Sequence, residues 1–400
     1  MDKSVLLELQ NHLVAGALAG TEEAALVHGM CDRLVAHGVP LWRAMAAMDE
    51  LHPLVEGRVV TWRRGEENTA MRAFERAEWA NRQDEWLRSP LYRLHVDKAL
   101  RLRRRRGDSY RQGEFSIVDE LFAKGAADYL AYRQPYADAA LSGDTDCLFM
   151  SCASDRREGF SDAHLAALDS LLPTLALALR ARSVARSARN LVTTYLGRDA
   201  GERVLHGQIE RGKPERVCAV LWFSDLAGFT RIADAAPDQI VPLLNDYADC
   251  QVGAIHAHGG QVLKFVGDGI LAIFPIDDVP AACRRALDAA ATSLGKLAAL
   301  NRRRGAAGLP TTRFYLALHV GEVLYGNIGS PERLDFTVVG PAVNEVSRIE
   351  AMCKSLDRDV LLSADFAAAA GGAGLVSVGR YALRGVGRAQ ELFTLDADAA

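Results

Sequence analysis

The chain has 400 residues, 49% hydrophobic and 24% charged, a composition that excludes a disordered tail. At roughly 100–200 residues per domain, this length calls for two or three domains. Lys and Arg number 47 against 51 Asp and Glu, a net charge of −4, which lacks the basic excess of a general nucleic-acid binder.

No apolar run reaches the ~20 residues of a membrane-crossing helix; the most apolar stretch, Leu165 to Leu179, is interrupted by Asp169 and Pro173. The first twenty residues carry Asp2 and Glu8 and no apolar core with a cleavage site, so a cytoplasmic location is expected. The seven Cys, at 31, 147, 152, 218, 250, 283 and 353, form no C-x-x-C pair and read as buried or idle thiols.

Residues 1–160 mix helical and strand-like patterns. Leu6, Leu13, Ala17 and then Ala24 to Leu34 have helical spacing. Gly38-Val39-Pro40 breaks the pattern, and Trp42–Leu51, Arg58–Trp62, Ala127–Tyr132 and Cys147–Ala153 read as strands. The basic run Arg103–Arg106 is expected at a loop or helix end, as a solvated face. Ser161 is a plausible N-cap for a long helix striped by Leu165, Leu168, Leu172, Leu175 and Leu179, which ends near Gly197. A polar segment, Gly201–Lys213, follows. The expected division is a first domain over 1–160, a signalling helix and linker over 161–213, and a second domain over 214–396.

From Arg216 the texture changes. Val217–Phe223, Gln261–Val266, Ile270–Phe274 and Phe314–Val320 have strand length, with helical patterns over Pro237–His258, Val279–Leu300 and Val343–Ser355 between them. Strands alternating with helices predict an α/β or α+β architecture. The Gly/Ala tract at 367–374 is expected as a loop.

Five pieces of this half carry chemistry. In Phe223-Ser224-Asp225-Leu226-Ala227-Gly228-Phe229-Thr230 a strand ends in a carboxylate and turns through Gly into a helix start. Free amides at Gly228, Phe229 and Thr230 would suit a phosphate, and Asp225 a hard cation. In Leu263-Lys264-Phe265-Val266-Gly267-Asp268-Gly269 a second carboxylate sits at a tight turn, four residues after Lys264. Two Mg²⁺ shared by Asp225 and Asp268 would serve a phosphoryl displacement. His319-Val320-Gly321-Glu322-Val323-Leu324-Tyr325-Gly326-Asn327-Ile328-Gly329 has three Gly, which point to bends and close backbone approach. In Phe336-Thr337-Val338-Val339-Gly340-Pro341-Ala342-Val343-Asn344-Glu345-Val346-Ser347-Arg348, Pro341 starts a helix that puts Asn344 and Arg348 one turn apart on one face. The last piece, Leu383-Arg384-Gly385-Val386-Gly387-Arg388, is a Gly-rich hairpin whose Arg could reach phosphates or simply mark a surface turn.

Taken together, these ordered motifs over roughly 215–396 resemble the class III nucleotidyl cyclase catalytic domain. The resemblance implies a ferredoxin-like α/β sandwich and a head-to-tail homodimer with two shared active sites. It assigns Asp225 and Asp268 to two metal ions, Mg²⁺ or Mn²⁺, and Lys264 and Thr337 to purine selection. Asn344 would orient the ribose and Arg348 would stabilise the transition state. One chain would supply the aspartates, the other Lys264, Thr337, Asn344 and Arg348. A Lys ammonium donates to adenine N1 and a Thr hydroxyl can accept from N6, which favours ATP, so the expected enzyme is an adenylate cyclase.

Thr337 stands where many members have Asp and matches the subgroup that includes bicarbonate-responsive cyclases. Glu322 stands where some members place a phosphate-binding Arg, which shifts the triphosphate clamp to Arg384 or Arg388. The alternatives are a guanylate cyclase or a non-catalytic nucleotide-sensing dimerisation module. A cyclic-dinucleotide synthase lacks its Gly-Gly-Asp/Glu-Glu-Phe signature here. The first domain resembles a GAF-type sensory domain by its arrangement. It is expected to take an unidentified small-molecule regulator, with His52 or His95 as remote candidates for a haem ligand.

Overall fold

The computed structural model describes residues 1–67, 69–136, 147–384 and 386–396. The chain divides into two compact units, Met1–Leu191 and Val192–Ala400.

The first unit contains α1 (Lys3–Leu18), α2 (Glu23–Ala36), β1 (Arg43–Asp49), β2 (Val55–Arg63), β3 (Ala70–Glu75), α3 (Arg76–Ala80) and α4 (Gln83–Leu87). Then come α5 (Pro90–Asp97), β4 (Arg101–Arg105), α6 (Ser116–Ala123), β5 (Asp128–Pro135), β6 (Cys147–Ser154) and α7 (Asp162–Leu196), whose last turn belongs to the second unit. Among the described residues, the strands form one antiparallel sheet in the order β3-β2-β1-β6-β5-β4. β6 is buried along its whole length because helices cover both faces. Leu148, Met150 and Cys152 pack with α1, α2 and α7, whereas Cys147, Phe149 and Ala153 pack with α5 and α6. A strand covered on both sides reads as a continuous apolar run, which is why Cys147–Ala153 was legible.

The expected leucine stripe of α7 is buried, and the His164 amide donates to the Ser161 hydroxyl at 3.3 Å as a helix cap does. By length and composition α7 is apolar enough to cross a membrane, but half of that window is buried inside the protein. Arg186 of α7 pairs with Glu23 of α2 and with Glu50, both carboxylates buried.

The basic run is not a loop or helix end. Arg103, Arg104 and Arg105 lie on the edge strand β4. Arg103 forks onto the fully buried Asp128, at 3.1 and 2.6 Å, and Asp128 also accepts the Phe160 amide at 2.9 Å. Arg104 forks onto Glu114. Carboxylates distant in sequence thus convert a charge run into an edge strand's ion pairs. His52 accepts the Leu54 and Val55 amides through Nδ1, at 3.0 and 3.1 Å, a loop-closing role.

The second unit opens with α8 (Arg198–Leu205), β7 (Glu215–Leu226) and α9 (Phe229–Ala235). A short 3-10 turn, Pro237–Gln239, leads into α10 (Ile240–Ala257), β8 (Gln261–Val266), β9 (Gly269–Pro275) and α11 (Val279–Ala306). There follow β10 (Phe314–Ser330), β11 (Arg333–Val339), α12 (Pro341–Leu356), β12 (Val360–Ser363), α13 (Ala364–Ala370), β13 (Leu375–Tyr381) and β14 (Gln390–Leu395). The sheet runs β13-β14-β12-β10-β7-β9-β8, with β11 on the far half of β10. Its four strands β10-β7-β9-β8 are antiparallel neighbours. Connected by α10 and α11, they make the ferredoxin-like arrangement expected. α10 and α11 pack on one face and α12 on the other.

Two boundaries differ from expectation. β10 runs to Ser330, ten residues past Val320, and its glycines are the sites of close approach expected of them, without breaking the strand. A Cβ on Gly321 would meet the Ala342 Cβ at 2.6 Å, and one on Gly326 the Pro214 Cα at 2.9 Å. The 367–374 tract is not all loop: Ala364–Ala370 is helical, capped by the Ser363 hydroxyl, which accepts the Phe366 amide at 3.2 Å.

Candidate active site

The site is built first on a two-residue turn. Val266 pairs with Gly269, leaving Gly267 and Asp268 as the turn, with Gly267 at φ +64°. A left-handed Gly at the first central position is standard hairpin chemistry. It lifts the Asp268 carboxylate across to the end of β7, where it accepts the Leu226 amide at 3.2 Å. Asp225 is the residue just before Leu226, and the two carboxylates come within hydrogen-bonding reach of one another. Burial, and then the hydrogen bond and charge of Asp268, push the Asp225 carboxyl up to about 6. Gly269 is required: a Cβ there would strike the Ser224 carbonyl oxygen and stand 3.3 Å from Asp225 Oδ1.

Sequence reasoning missed a third acid. Glu350 lies on the buried face of α12 and is 9% exposed. Burial, and then the charges of Asp225 and Asp268, raise it to about 7. Three carboxylates therefore press on one another with no basic side chain bonded to them among the described residues. Such an oxygen-rich, over-negative set fits a hard divalent cation. Among the described residues no cluster of three His, Cys, Asp or Glu is close enough to hold a metal alone.

Lys264 and Thr337 come together in a second place. Both line a cavity of about 530 Å³ with Val262, Phe265 and Asp335. Lys264 Nζ stands 4.0 Å from Asp335 Oδ2. Thr337 is 4% exposed, and its hydroxyl has no hydrogen-bond partner among the described residues. A buried hydroxyl without a partner is costly and marks a place where a ligand atom would complete it.

Asn344 and Arg348 occupy the outward face of α12, one turn apart, Asn344 exposed and Arg348 half-buried. Neither side chain is engaged by another described residue. Gly228, at φ +69°, starts α9; Phe229 packs on the core and Thr230 is exposed. Arg384 is exposed in the connection between β13 and β14 and is not joined to the aspartates; Gly385 lies outside the described residues. Glu322 is spoken for by Arg216. The structure thus gathers three groups: Asp225 with Asp268 and Glu350, Lys264 with Thr337, and Asn344 with Arg348 on α12.

This fold with these groups is that of a class III cyclase catalytic domain, carried by the second unit. No family model matches the chain. It is 35% identical over 147 residues to adenylate cyclase 1 of Rhizobium meliloti, covering 35% of this chain and 22% of that protein. It is 36% identical over 160 residues to an adenylate cyclase of Anabaena cylindrica, covering 39% and 31%. The match therefore spans about a quarter to a third of these curated relatives. Among solved structures, a bacterial light-regulated adenylyl cyclase is similar with a TM-score of 0.45 and 25% identity, over 59% of this chain and 65% of that one. The adenylyl cyclase CyaB from P. aeruginosa follows, with a TM-score of 0.43 and 22% identity over 46% and 95%.

Proposed function

We propose that the chain is an adenylate cyclase that converts ATP to 3′,5′-cyclic AMP and pyrophosphate, at sites shared between two copies and under control of its first unit. The observation that carries this reading is the convergence of Asp225 and Asp268, with the buried, unpartnered Thr337 hydroxyl beside Lys264. Two of the curated relatives it is similar to are named adenylate cyclases.

Asp225 and Asp268 would hold Mg²⁺ or Mn²⁺, which lowers the pKa of the ribose 3′-hydroxyl and neutralises phosphate charge. The chain's own groups do the rest. Lys264 donates to adenine N1, and the Thr337 hydroxyl accepts from N6, ending its unpaired state. Asn344 orients the ribose, and Arg348 meets the charge that grows on the α-phosphate as the 3′-oxygen attacks and pyrophosphate leaves. In this reading a second copy placed head to tail would bring the aspartates of one to the Asn344 and Arg348 of the other.

The first unit would act as a GAF-type sensor in a cytoplasmic protein. A sheet covered by helices on both faces supports that role, as does a cavity of about 680 Å³ bordered by Arg88, Tyr92, Arg93 and Phe115. A regulator there acts only if it binds two states of the unit with different affinity.

The test is cyclic-nucleotide formation by the purified chain, with ATP and GTP supplied separately and Asp268→Ala as control. Cyclic AMP that vanishes in the variant is expected. Cyclic GMP as the main product would overturn the roles of Lys264 and Thr337.

A further inference from the structure

The cavity that holds Lys264 and Thr337 has a wall that the chemistry above does not use. It is the segment Thr193–Arg198, where α7 ends and α8 begins. This segment is packed into the second unit. Ala200 is buried, and Leu196 and Val204 belong to the same apolar cluster as Leu263 of β8. Tyr325 donates its hydroxyl to Asp199 at 2.8 Å, and Arg203 lies over the Tyr325 ring at 5.2 Å.

Gly197 is the point of closest approach. It has φ +86°, and a Cβ there would stand 2.6 Å from the Val262 carbonyl oxygen. Real side chains do not come that near, so only Gly lets the segment lie against β8 at this spot. Val262 is also where the β8–β9 ladder slips: the register jumps from Val262 to Lys264, leaving Leu263 as a bulge. A bulge re-aims the residue that follows it, here Lys264. Two residues before Gly197, the Tyr195 ring borders the cavity and is 77% exposed, an aromatic face open to a planar base.

We propose that Thr193–Arg198 forms the regulated wall of the purine pocket: Tyr195 stacks on the base, and Gly197 is a positioning residue that sets Lys264 through the β8 backbone. Movement of the segment would be read as a change in purine affinity and selectivity, not in the chemistry at the aspartates. The inference rests on the cyclase reading for its substrate. It differs from that reading in placing control at the base and not at the phosphates.

The test compares wild type, Gly197→Ala and Tyr195→Ala as full-length proteins. Turnover is followed with ATP and GTP, and affinity for a fluorescent methylanthraniloyl-ATP is titrated in parallel. Gly197→Ala is expected to raise the KM for ATP about tenfold and to lower the ATP-over-GTP preference, with kcat within about twofold, the pattern of lost uniform binding. Tyr195→Ala is expected to raise KM by a smaller factor and weaken the fluorescent nucleotide likewise. Unchanged KM, preference and affinity in both variants would overturn the proposal, as would a fall in kcat alone. If Gly197→Ala does not fold, by circular dichroism, the exposed Tyr195 decides the matter by itself. A wild type that makes no cyclic nucleotide defeats the cyclase reading; the affinity titration then still upholds the wall if Tyr195→Ala binds more weakly, and overturns it if binding is unchanged.

Discussion

Glu350 gives the sharpest quantitative handle on the acidic site. Its carboxyl sits 9% exposed under the pair of aspartates and is raised from an ordinary 4.5 to about 7. One pKa unit is worth 1.36 kcal/mol, so ionising Glu350 in the folded, metal-free protein costs up to about 3 kcal/mol. The sign follows from proton counting. Between pH 4.5 and 7 the unfolded chain has released this proton and the folded chain still holds it, so stability falls as pH rises through that window. Below the window the penalty is absent; above it the penalty is complete. Glu350→Gln keeps the shape and removes the charge. In EDTA the variant is expected to match wild type near pH 4.5 and to exceed it by up to about 3 kcal/mol at pH 8. Guanidinium unfolding at the two pH values reads this directly. Asp225 adds a similar slope that both proteins share, since it too is held high, at about 6. Identical pH dependence in wild type and variant would refute the electrostatic picture of this site.

Other consequences are open to measurement. Removing divalent cations with EDTA should abolish turnover, and Mg²⁺ or Mn²⁺ should restore it; turnover that survives chelation would contradict the roles of Asp225 and Asp268. Lys264→Ala should cut the ATP-over-GTP preference by about 10- to 100-fold, the scale of one hydrogen bond to a charged group, as measured by the two kcat/KM values. Asp128→Ala should destabilise the first unit by about 2–3 kcal/mol, because it removes both carboxylate bonds to Arg103, which keeps only the Phe160 carbonyl, and leaves the Phe160 amide without its acceptor; a loss under 1 kcal/mol in thermal or chemical unfolding would argue otherwise. Bicarbonate added at fixed pH should raise the rate if Thr337 marks the responsive subgroup, and a flat response would withdraw that assignment.

What was legible in the sequence was local. Gly267-Asp268-Gly269 announces its turn because a two-residue hairpin needs Gly where φ is positive, and Pro341 announces the start of α12. The leucine stripe of α7 shows because its period is short. What was illegible depends on partners far away in the chain. Glu350 follows Arg348 by two residues on an unremarkable amphipathic helix, and only the packing of α12 on the sheet puts it beneath Asp225 and Asp268. The close approach expected at the β10 glycines was legible, but not its partners, Ala342 and Pro214, which come from elsewhere in the chain. Arg103 reads as a surface charge until Asp128, 25 residues on, supplies the buried carboxylate. The junction at Gly197 reads as a helix end and not as a wall, because its neighbour, Val262, lies 65 residues downstream.

The most direct test of the central claim mixes two inactive proteins. Asp225→Ala lacks a metal carboxylate and Arg348→Ala lacks the transition-state cation. If the active sites are shared between two copies, a mixed dimer carries one intact site. Equal mixing should then recover about a quarter of wild-type cyclic AMP formation, since half the dimers are mixed and each has one site of two. Recovery near that level is the predicted result. A mixture as inactive as its parts would contradict a catalytic site assembled across two copies of this chain.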